Sequence, residues 1–415
     1  MEQVKIGVFG AARGMTMIRE MLNNPEARVV AVCDKYQPLL EQCRSLAEEK
    51  GVRVDFYTDF ERFFEHDMDA VVLANYAHEH VPYAVRLLRS GRHVMSEVIT
   101  CATLAEAVEL IETVEETGRI YHFAENCCYF NTTTEMRRLY RKGDIGELMQ
   151  GEGEYIHDCS SIWPQITYGE RDHWRNRMSS VFYCTHSLGP VLYATGLRPV
   201  KVNGFETRNM PFMRRLGASA GTAGTLMVTL ENGALVKSID MCLKRPHALN
   251  FKLYGDRGMM ETDHWQQNLL HVYREGERNC VGACEHYVPE FTMEKAKKSA
   301  HWGGDFFTSY YFVRAILGDA EAKANLIDVY SAVDMCIPGI LGYRSIVEGN
   351  RAVDIPNLRI ASERDKVRHD TFCTFREIAG EMYVPNNAMQ ANRDVPIDDA
   401  VYEEVRRRWE HGEPG

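Results

Sequence analysis

The sequence lacks a long apolar run, a surplus of basic residues and a secretory leader. No stretch approaches the roughly 20 apolar residues that cross a bilayer, and the start, MEQVK, has no basic region or small-residue cleavage site. The net charge is −11 without a basic patch, which argues against nucleic acid or a membrane surface as partner. We therefore expect a cytoplasmic protein that binds a small molecule.

A disulfide framework and a metal-binding motif are also lacking. The 12 cysteines are scattered and include the adjacent Cys127 and Cys128, which is typical of reduced thiols. Cys280, Cys284 and His286 have an irregular spacing and no fourth ligand, so a structural zinc site is not expected. The sequence predicts no bound metal.

The amino-terminal segment, by contrast, predicts a nucleotide-binding βαβ unit. Residues 4–9 form an apolar strand, Gly10 follows as the tight turn, and Arg13 begins a helix whose amino terminus faces a pyrophosphate. Residues 29–33 form a second strand that carries Asp34 to the adenosine ribose. This spacing favours a bound dinucleotide, and a generic βαβ turn without a nucleotide is the alternative.

The glycine pattern of this unit is incomplete. Ala12 stands where the backbone approaches the pyrophosphate, and the third glycine is either Gly14, one residue early, or is replaced by Met15. Asp34 accepts hydrogen bonds from ribose hydroxyls and repels a 2′-phosphate, which favours NAD over NADP. The adjacent Lys35 argues in the opposite direction.

The order of predicted elements gives the fold class, α/β. The first 125 residues alternate short strands and helices, which predicts a doubly wound parallel Rossmann sheet. Later strands are longer and alternate with period 2, which predicts an α+β domain with an open, largely antiparallel sheet; they cover residues 150–158, 200–207, 222–230, 234–241 and 249–254. Helices are predicted at 304–317 and 328–348. The expected domains are 1–125, 126–360 and a charged carboxy-terminal extension, 361–415, at the surface or in an oligomer contact.

Several local motifs carry a family resemblance. They are ENCCY at 125–129, GEL at 146–148, YIHD at 155–158, HWR at 173–175 and YCTHSLGP at 183–190. In this order, residues 1–360 resemble the Gfo/Idh/MocA oxidoreductase family, and within it the NAD-dependent glycoside hydrolases that include bacterial α-N-acetylgalactosaminidases. The broad sheet needs a covered face, and the resemblance implies that a partner subunit supplies it in a homodimer or homotetramer.

The chain departs from this family at places that matter for its chemistry. Val98 replaces the lysine that sugar dehydrogenases of the family place beside the nicotinamide. The glycosidase relatives also lack this lysine. Cys184 stands where those relatives have proline, and the stretch between Arg175 and Tyr183 is shorter. That stretch shapes their sugar pocket, so the resemblance does not identify the sugar.

Two tyrosine/histidine pairs are the candidate catalytic residues. Tyr155 and His157 are two apart on a predicted strand and share a face. Tyr183 and His186 are three apart at the start of a predicted helix and also share a face. The two pairs are expected to meet across a pocket, and simple packing of aromatic rings is the alternative.

The resemblance and the loop positions assign further residues. The cofactor is expected to contact Asn75, His78, His80, Glu97, Val98 and Asn126, together with the βαβ residues named above. The substrate is expected to contact Glu125, Trp174, Arg175, His301 and Asp305, with Trp174 as an apolar wall and Arg175 as a hydroxyl-binding fork. A surface stack of Trp174 on Arg175 is the alternative for that pair.

A pair of carboxylates, the usual glycosidase device, is not apparent. The resemblance implies a redox-assisted cleavage instead, in which NAD oxidises the sugar at C3, C2 loses a proton, the group at C1 leaves, water adds and the ketone is reduced again. Tyr183 and His186 are assigned to the oxidised hydroxyl and Tyr155 with His157 to the C2 proton, and the exchanged assignment stays open. The alternatives are an NAD-dependent sugar or inositol dehydrogenase and a non-catalytic sugar and NAD sensor.

Overall fold

The computed structural model describes residues 3–241, 246–276, 283–291, 293–387 and 396–415, and the chain forms two compact units. The first unit contains Met1–Cys101, Glu106–Tyr129 and Phe291–Val333, and the second contains Ala102–Ala105, Phe130–Glu290 and Asp334–Gly415. The sequence pattern placed 126–360 in one domain. In the structure Phe291–Val333 instead group with the first unit, and 361–415 are part of the second.

The first unit is built on a six-stranded parallel sheet. Its strands are β1 (Val4–Phe9), β2 (Ala27–Cys33), β3 (Asp55–Tyr57), β4 (Ala70–Leu73), β5 (His93–Ser96) and β6 (Tyr121–Phe123). Their order, β3-β2-β1-β4-β5-β6, is that of a doubly wound dinucleotide-binding sheet. The predicted Rossmann fold is therefore confirmed.

Helices cover this sheet and complete its core. They are α1 (Ala11–Leu22), α2 (Gln37–Glu49), α3 (Phe60–Phe64), α4 (His80–Arg89) and α5 (Leu104–Thr117), with α11 (Gly304–Ile316) and α12 (Ala320–Asn325) from later in the chain. Met17 and Met21 of α1 share one buried cluster with Phe312 and Val313 of α11. Burial of these side chains, about 1.5–3 kcal/mol each, ties α11 to the first unit.

The second unit contains a nine-stranded mixed sheet. Its strands are β7 (Leu148–Ile156), β8 (Pro199–Glu206), β9 (Ala223–Leu230), β10 (Leu235–Met241), β11 (Ala248–Gly255), β12 (Gly258–Thr262), β13 (Leu270–Arg274), β14 (Glu285–Tyr287) and β15 (Val353–Asp354). They lie in the order β14-β13-β12-β11-β7-β10-β9-β8-β15. The pair β7 and β10 is parallel and the other neighbouring pairs are antiparallel, so the prediction of a largely antiparallel sheet is confirmed.

The second unit also contains nine described helices. They are α6 (Asn131–Lys142), α7 (Trp163–Thr167), α8 (Trp174–Arg177), α9 (Thr185–Thr195), α10 (Pro211–Arg214), α13 (Val329–Val347), α14 (Ala361–Val367), α15 (Arg376–Ala379) and α16 (Asp399–Glu410). Of these, α9 packs directly on β7, β10 and β11. The chain is glycine-rich where α9 crosses β7. A side chain at Gly153 would meet the Ser187 carbonyl oxygen at 1.8 Å, so the glycine permits this close approach.

One apolar segment contradicts the sequence-based expectation that no stretch approaches membrane-spanning length. The 28 residues Ala320–Val347, which include α12 and α13, are long and apolar enough by composition to cross a membrane. In the structure 67% of its most apolar window is buried within the protein. Burial of this kind is what a core helix of a globular protein shows, and length and composition alone are weak evidence for a membrane span.

The carboxy-terminal extension packs on the second unit. Val405 of α16 lies in an apolar cluster with Trp163, Met213, Leu216 and Ala218. At the end of the chain, the Gly415 backbone N–H donates to the Ser161 carbonyl oxygen at 2.9 Å. Helix α16 is therefore part of the core of this unit.

Candidate functional site

The turn after β1 has the geometry of a phosphate-binding turn. Gly10 has a φ of +97°, and a side chain there would meet the Ala74 carbonyl oxygen at 2.2 Å, so glycine is required. Helix α1 begins at the next residue, Ala11, and Ala12 is exposed on its first turn. A helix amino terminus that follows such a turn directly suits the pyrophosphate of a dinucleotide.

The open question about the third glycine is answered by helix packing. A side chain at Gly14 would meet Val8 Cγ1 at 2.8 Å, so Gly14 allows α1 to lie close to β1. Met15 is partly buried against the apolar core of the first unit. Gly14 thus has the packing role of the third glycine, one residue earlier than the usual motif.

Asp34 lies at the carboxyl end of β2, where a ribose would be bound. Its Oδ2 accepts the Ala11 backbone N–H at 2.6 Å and its Oδ1 accepts the Tyr36 N–H at 2.8 Å. The Lys35 ammonium lies 4.3 Å from the centre of the Tyr76 ring, a cation–π contact that draws it toward Tyr76. The residues of the turn, helix and strand end therefore fit NAD.

The loops after β4 and β5 contain the other expected cofactor residues. His80 is 1% exposed, and its Nδ1 lies 3.0 Å from the Ile99 carbonyl oxygen. Burial lowers the pKa of His80 to about 4, so the ring is neutral, and its Nε2 lies 3.3 Å from the Asn75 carbonyl oxygen. His78 and Val98 are also buried, and the His78 ring stacks on Tyr76.

One ion-pair network joins residues that the sequence assigned to two different ligands. Arg13 Nε lies 2.8 Å from Glu97 Oε1, and its Nη2 lies 2.7 Å from Asp305 Oδ1. Asp305 also accepts a hydrogen bond from Asn126 Nδ2 at 3.0 Å and contacts His301 Nδ1. Burial would raise the pKa of Asp305, but Arg13 and His301 outweigh it and hold this pKa far below its usual range. Asp305 thus contacts Arg13 of the cofactor turn, and His301 contacts Asp305.

Glu125 lies deep in the first unit. Its side chain is 0% exposed, and Oε1 accepts the Cys127 backbone N–H at 3.2 Å. This contact fixes the carboxylate at the start of the 3₁₀ turn formed by Asn126–Tyr129, directly after β6.

The two predicted tyrosine/histidine pairs form a single ring cluster in the second unit. The Tyr155 hydroxyl lies 3.0 Å from His157 Nδ1, just beyond the end of β7. The Tyr155 ring stacks on His186 with centres 4.6 Å apart, and Tyr183 meets His186 edge-on at 4.7 Å. The structure therefore brings all four side chains together, as the spacing predicted.

A fifth ring of this cluster was not predicted. His247, just before β11, stacks on His157 with ring centres 4.4 Å apart and lies 5.6 Å from Tyr155. Strand pairing places His247 there, because Leu249, two residues later on β11, lies opposite Tyr155 of β7. A single histidine before a strand carries no sequence signal for this position.

Arg175 reaches the cluster over Trp174. The guanidinium carbon lies 4.2 Å from the Trp174 ring centre, and the side chain hydrogen-bonds the Tyr183 hydroxyl. Burial works to lower the pKa of Arg175, but Tyr183, Cys159 and Tyr155 together outweigh it and raise this pKa, so the guanidinium stays charged. Trp174 is 5% exposed and packs behind Arg175, so it is neither a surface stack nor the pocket wall that we expected.

Three rings of this cluster, Tyr155, His157 and Tyr183, line a pocket in the second unit. Its polar lining comes from Tyr155, His157, Arg175, Ser180, Tyr183, Thr222 and Asp240. Its apolar lining comes from Ile162, Trp163, Ile166, Met178, Met213, Ala218 and Ala220, with Cys159 and Gly221 completing the wall. The predicted Arg175, Tyr155, His157 and Tyr183 thus share one cavity.

Two buried acids lie in the sheet beside this pocket. The cross-strand row that contains Tyr155 continues through Asp240 of β10 and Gly224 of β9 to Glu206 of β8. Asp240 Oδ2 accepts a hydrogen bond from Ser187 Oγ at 2.8 Å. The expectation of no carboxylate pair was therefore incomplete, since strand pairing places two acids in one row, two strand spacings or roughly 10 Å apart.

The structure describes only part of the group Cys280, Cys284 and His286, which was not expected to bind zinc. Cys280 lies outside the described residues. His286 Nδ1 lies 2.6 Å from His271 Nδ1, and the other ring nitrogen of His271, Nε2, lies 3.1 Å from Asp263 Oδ2. Among the described residues ten cysteines are free thiols.

Two family models match the chain. Residues 4–125 match the oxidoreductase family with an NAD-binding Rossmann fold, and residues 214–362 match the glycosyl hydrolase 109 carboxy-terminal domain. Residues 4–125 thus match the NAD-binding domain of the Gfo/Idh/MocA oxidoreductase family. The second match, to the carboxy-terminal domain of the glycosyl hydrolase 109 proteins, supports a glycosidase.

Curated relatives agree with these models. The chain is 27% identical over 410 residues to an alpha-N-acetylgalactosaminidase of Tannerella forsythia, covering 85% of this chain and 86% of the relative. It is 27% identical over 394 residues to an alpha-N-acetylgalactosaminidase of Shewanella oneidensis, covering 86% and 85%.

Solved structures share the fold. An oxidoreductase domain protein from Kribbella flavida superposes with a TM-score of 0.69 at 17% identity, covering 86% of this chain and 100% of that one. An inositol dehydrogenase homolog from Azotobacter vinelandii, complexed with NAD⁺, gives a TM-score of 0.67 at 17% identity and covers 85% and 98%.

Proposed function

We propose that the protein is an NAD-dependent glycoside hydrolase that cleaves its substrate through transient oxidation of the sugar. The observation that carries the proposal is the ring cluster of Tyr155, His157, Tyr183 and His186. Tyr155, His157 and Tyr183 line a pocket, His186 stacks on Tyr155, and Arg175 is hydrogen-bonded to Tyr183. Proton-transfer groups of this kind are needed for catalysis and serve no purpose in a sensor.

The turn at Gly10, the start of α1 and Asp34 would hold NAD, which would supply hydride acceptance from C3 of the sugar and hydride return after cleavage. Tyr183 with His186 takes the proton of the C3 hydroxyl, which leaves a ketone. Tyr155 with His157 then takes the acidic C2 proton, the C1 bond breaks, and its electrons leave with the departing group. Water adds at C1 of the enone, the proton returns to C2, and reduction of the ketone restores the hydroxyl.

A tyrosine can act as the base because of its neighbours. A free phenol has a pKa of about 10, so its ionised form needs stabilisation near neutral pH. The guanidinium of Arg175 supplies a positive charge at the Tyr183 hydroxyl, and His157 Nδ1 lies 3.0 Å from the Tyr155 hydroxyl. Each tyrosine therefore has its own activating partner.

The names of the relatives suggest the first substrate to test, an α-N-acetylgalactosaminide. Hydrolysis in heavy water should place deuterium at C2 of the released sugar, since the C2 proton is exchanged during elimination. Direct displacement at C1 leaves this hydrogen in place. Mass spectrometry or proton NMR of the product distinguishes the two.

The variant that tests the cluster is Tyr155→Phe, which removes the hydroxyl and little volume. It should abolish both cleavage and C2 exchange and leave the affinity for NAD unchanged. Tyr254→Phe, on β11 of the same unit and outside the pocket lining, is the matched control and should behave like the wild type. An active Tyr155→Phe that releases unlabelled sugar would refute the mechanism, and stoichiometric NADH would indicate a dehydrogenase.

A further inference from the structure

The pocket of the second unit has two chemically different sides. The polar side is the ring cluster with Arg175, which the proposed function uses for the sugar. The apolar side is formed mainly by Ile162, Trp163, Ile166 and Met213. Trp163, Met213 and Ala218 belong to one apolar cluster on which Ile166 packs, so these four lining residues form one contiguous surface, and Ile162 is the chain neighbour of Trp163.

The polar groups on the apolar side are bonded away from the cavity. The Trp163 indole N–H donates to Asn176 Oδ1 at 3.0 Å, which leaves ring carbons for the pocket. Asn209 Nδ2 donates to the carbonyl oxygens of Ala218 at 3.0 Å and Ala220 at 2.7 Å. Because their carbonyl oxygens are already bonded, Ala218 and Ala220 present only their methyl groups to a ligand. A ligand hydroxyl placed here would lose its hydrogen bonds to water.

The carboxy-terminal helix supports this wall from behind. Val405 packs in the same apolar cluster as Trp163 and Met213. The Tyr402 hydroxyl donates to the Gly217 carbonyl oxygen at 3.1 Å, just before Ala218. The wall is therefore a built surface that residues 396–415 hold in place.

We propose that the substrate carries an apolar leaving group, aromatic or branched alkyl, which lies against Ile162, Ile166, Trp163 and Met213 while the sugar occupies the ring cluster. The inference rests on the proposed function for the sugar half of the substrate. A second sugar as leaving group does not fit, because its hydroxyls would meet a wall without hydrogen-bond partners. Apolar contact with an aromatic ring is what such a wall stabilises.

The test uses two probes on the full chain. Calorimetry with 2-naphthol measures the apolar subsite without any turnover. Kinetics compare 4-nitrophenyl with methyl α-N-acetylgalactosaminide, which share the sugar and differ in the leaving group; KM is compared because the chemical step also depends on the leaving group. We expect 2-naphthol to bind and the aryl glycoside to have a KM at least tenfold lower than the methyl glycoside.

The variant Ile162→Gln probes the wall with little risk to folding, because Ile162 is 40% exposed. Ile360→Gln is the matched control, an isoleucine of the same unit that is 48% exposed and does not line the pocket. Ile162→Gln should weaken 2-naphthol binding and raise the KM of the aryl glycoside about tenfold, with the KM of the methyl glycoside unchanged. The control should match the wild type in all three measurements.

The outcomes separate this inference from the proposed function. Two outcomes overturn the proposal of an apolar leaving group and leave the proposed hydrolase intact. One is cleavage of both glycosides without binding of 2-naphthol, and the other is an equal effect of Ile162→Gln on the KM of the aryl and methyl glycosides. An equal effect would place the N-acetyl group on the wall instead. Binding of 2-naphthol that Ile162→Gln weakens, without cleavage of any glycoside, retains the apolar subsite and overturns the proposed hydrolase.

Discussion

Replacing Glu206 by glutamine should make the stability of the second unit less dependent on pH. Glu206 ends β8, is 8% exposed and shares a hydrogen bond with Ser179 Oγ. Its other oxygen, Oε2, has no hydrogen-bond partner among the described residues. Burial, partly offset by Ser179, raises the pKa of Glu206 from 4.5 to about 8.

The sign follows from proton binding in the two states. Between pH 4.5 and 8 the folded chain holds the Glu206 proton and the unfolded chain does not, so the folding free energy that this group contributes is lost as pH rises. The loss is about 1.4 kcal/mol per pH unit. From pH 5.5 to 7.5 the wild type should therefore lose about 2.5 kcal/mol more than Glu206→Gln, after allowance for partial ionisation near the upper end.

Thermal unfolding at the two pH values checks this figure. With an unfolding entropy of about 2.1 cal/mol/K per residue, the extra loss corresponds to a fall in Tm of about 3 °C if the whole chain unfolds together. Glu381→Gln, at an exposed glutamate of the same unit, should show the pH dependence of the wild type. If Glu206→Gln also shows it, the carboxyl is ionised in the folded protein and the reasoning is wrong.

Three further outcomes are expected. Calorimetry should show tighter binding of NAD than of NADP, because Asp34 lies at the ribose end of β2, and equal affinities would contradict this assignment. Arg175→Lys should lower kcat/KM at least tenfold at unchanged NAD affinity, since a lysine cannot reproduce the contacts of the guanidinium with Tyr183; wild-type kinetics would exclude that role. We propose a homodimer or homotetramer through the open sheet face, where Phe205 and Leu235 are exposed, and Phe205→Lys should shift the mass measured by light scattering toward the monomer, whereas a monomeric wild type would refute the assembly.

Local sequence patterns predicted those parts of the fold that depend on neighbouring residues. The sequence predicts strand β1 at its observed bounds, because the apolar run of residues 4–9 ends at Gly10. Gly10 has a positive φ, a conformation that glycine adopts readily. The position of α11 was missed, since its Phe312 and Val313 join a cluster with α1 nearly 300 residues earlier in the sequence. Amphipathic periodicity shows that a helix has a buried face and carries no information on which sheet covers it.

The same distinction applies to the site. Tyr155 and His157 were found because two residues on one strand share a face, and the family motif named the strand. Asp240, Glu206 and His247 were missed because their places depend on strand register. Register brings Asp240 and His247 beside Tyr155, and it places Glu206 farther along the same cross-strand row. The alternation of Ser238 and Asp240 on the buried side of β10 was a usable signal, since a buried acid on a strand needs hydrogen-bond donors nearby.

The ring cluster depends on two strand glycines, at which a side chain would collide with neighbouring segments. A side chain at Gly224 of β9 would meet Val181 Cγ1 at 2.3 Å and Ser180 Oγ at 2.8 Å, so this glycine lets the turn Ser180–Tyr183 lie directly on the sheet. Gly153 of β7 does the same for Ser187 on the first turn of α9. Because both ends of the segment that carries Tyr183 and His186 are lowered onto the sheet, their rings reach Tyr155. Two strand glycines without reactive groups of their own therefore allow the two tyrosine/histidine pairs to form one ring cluster.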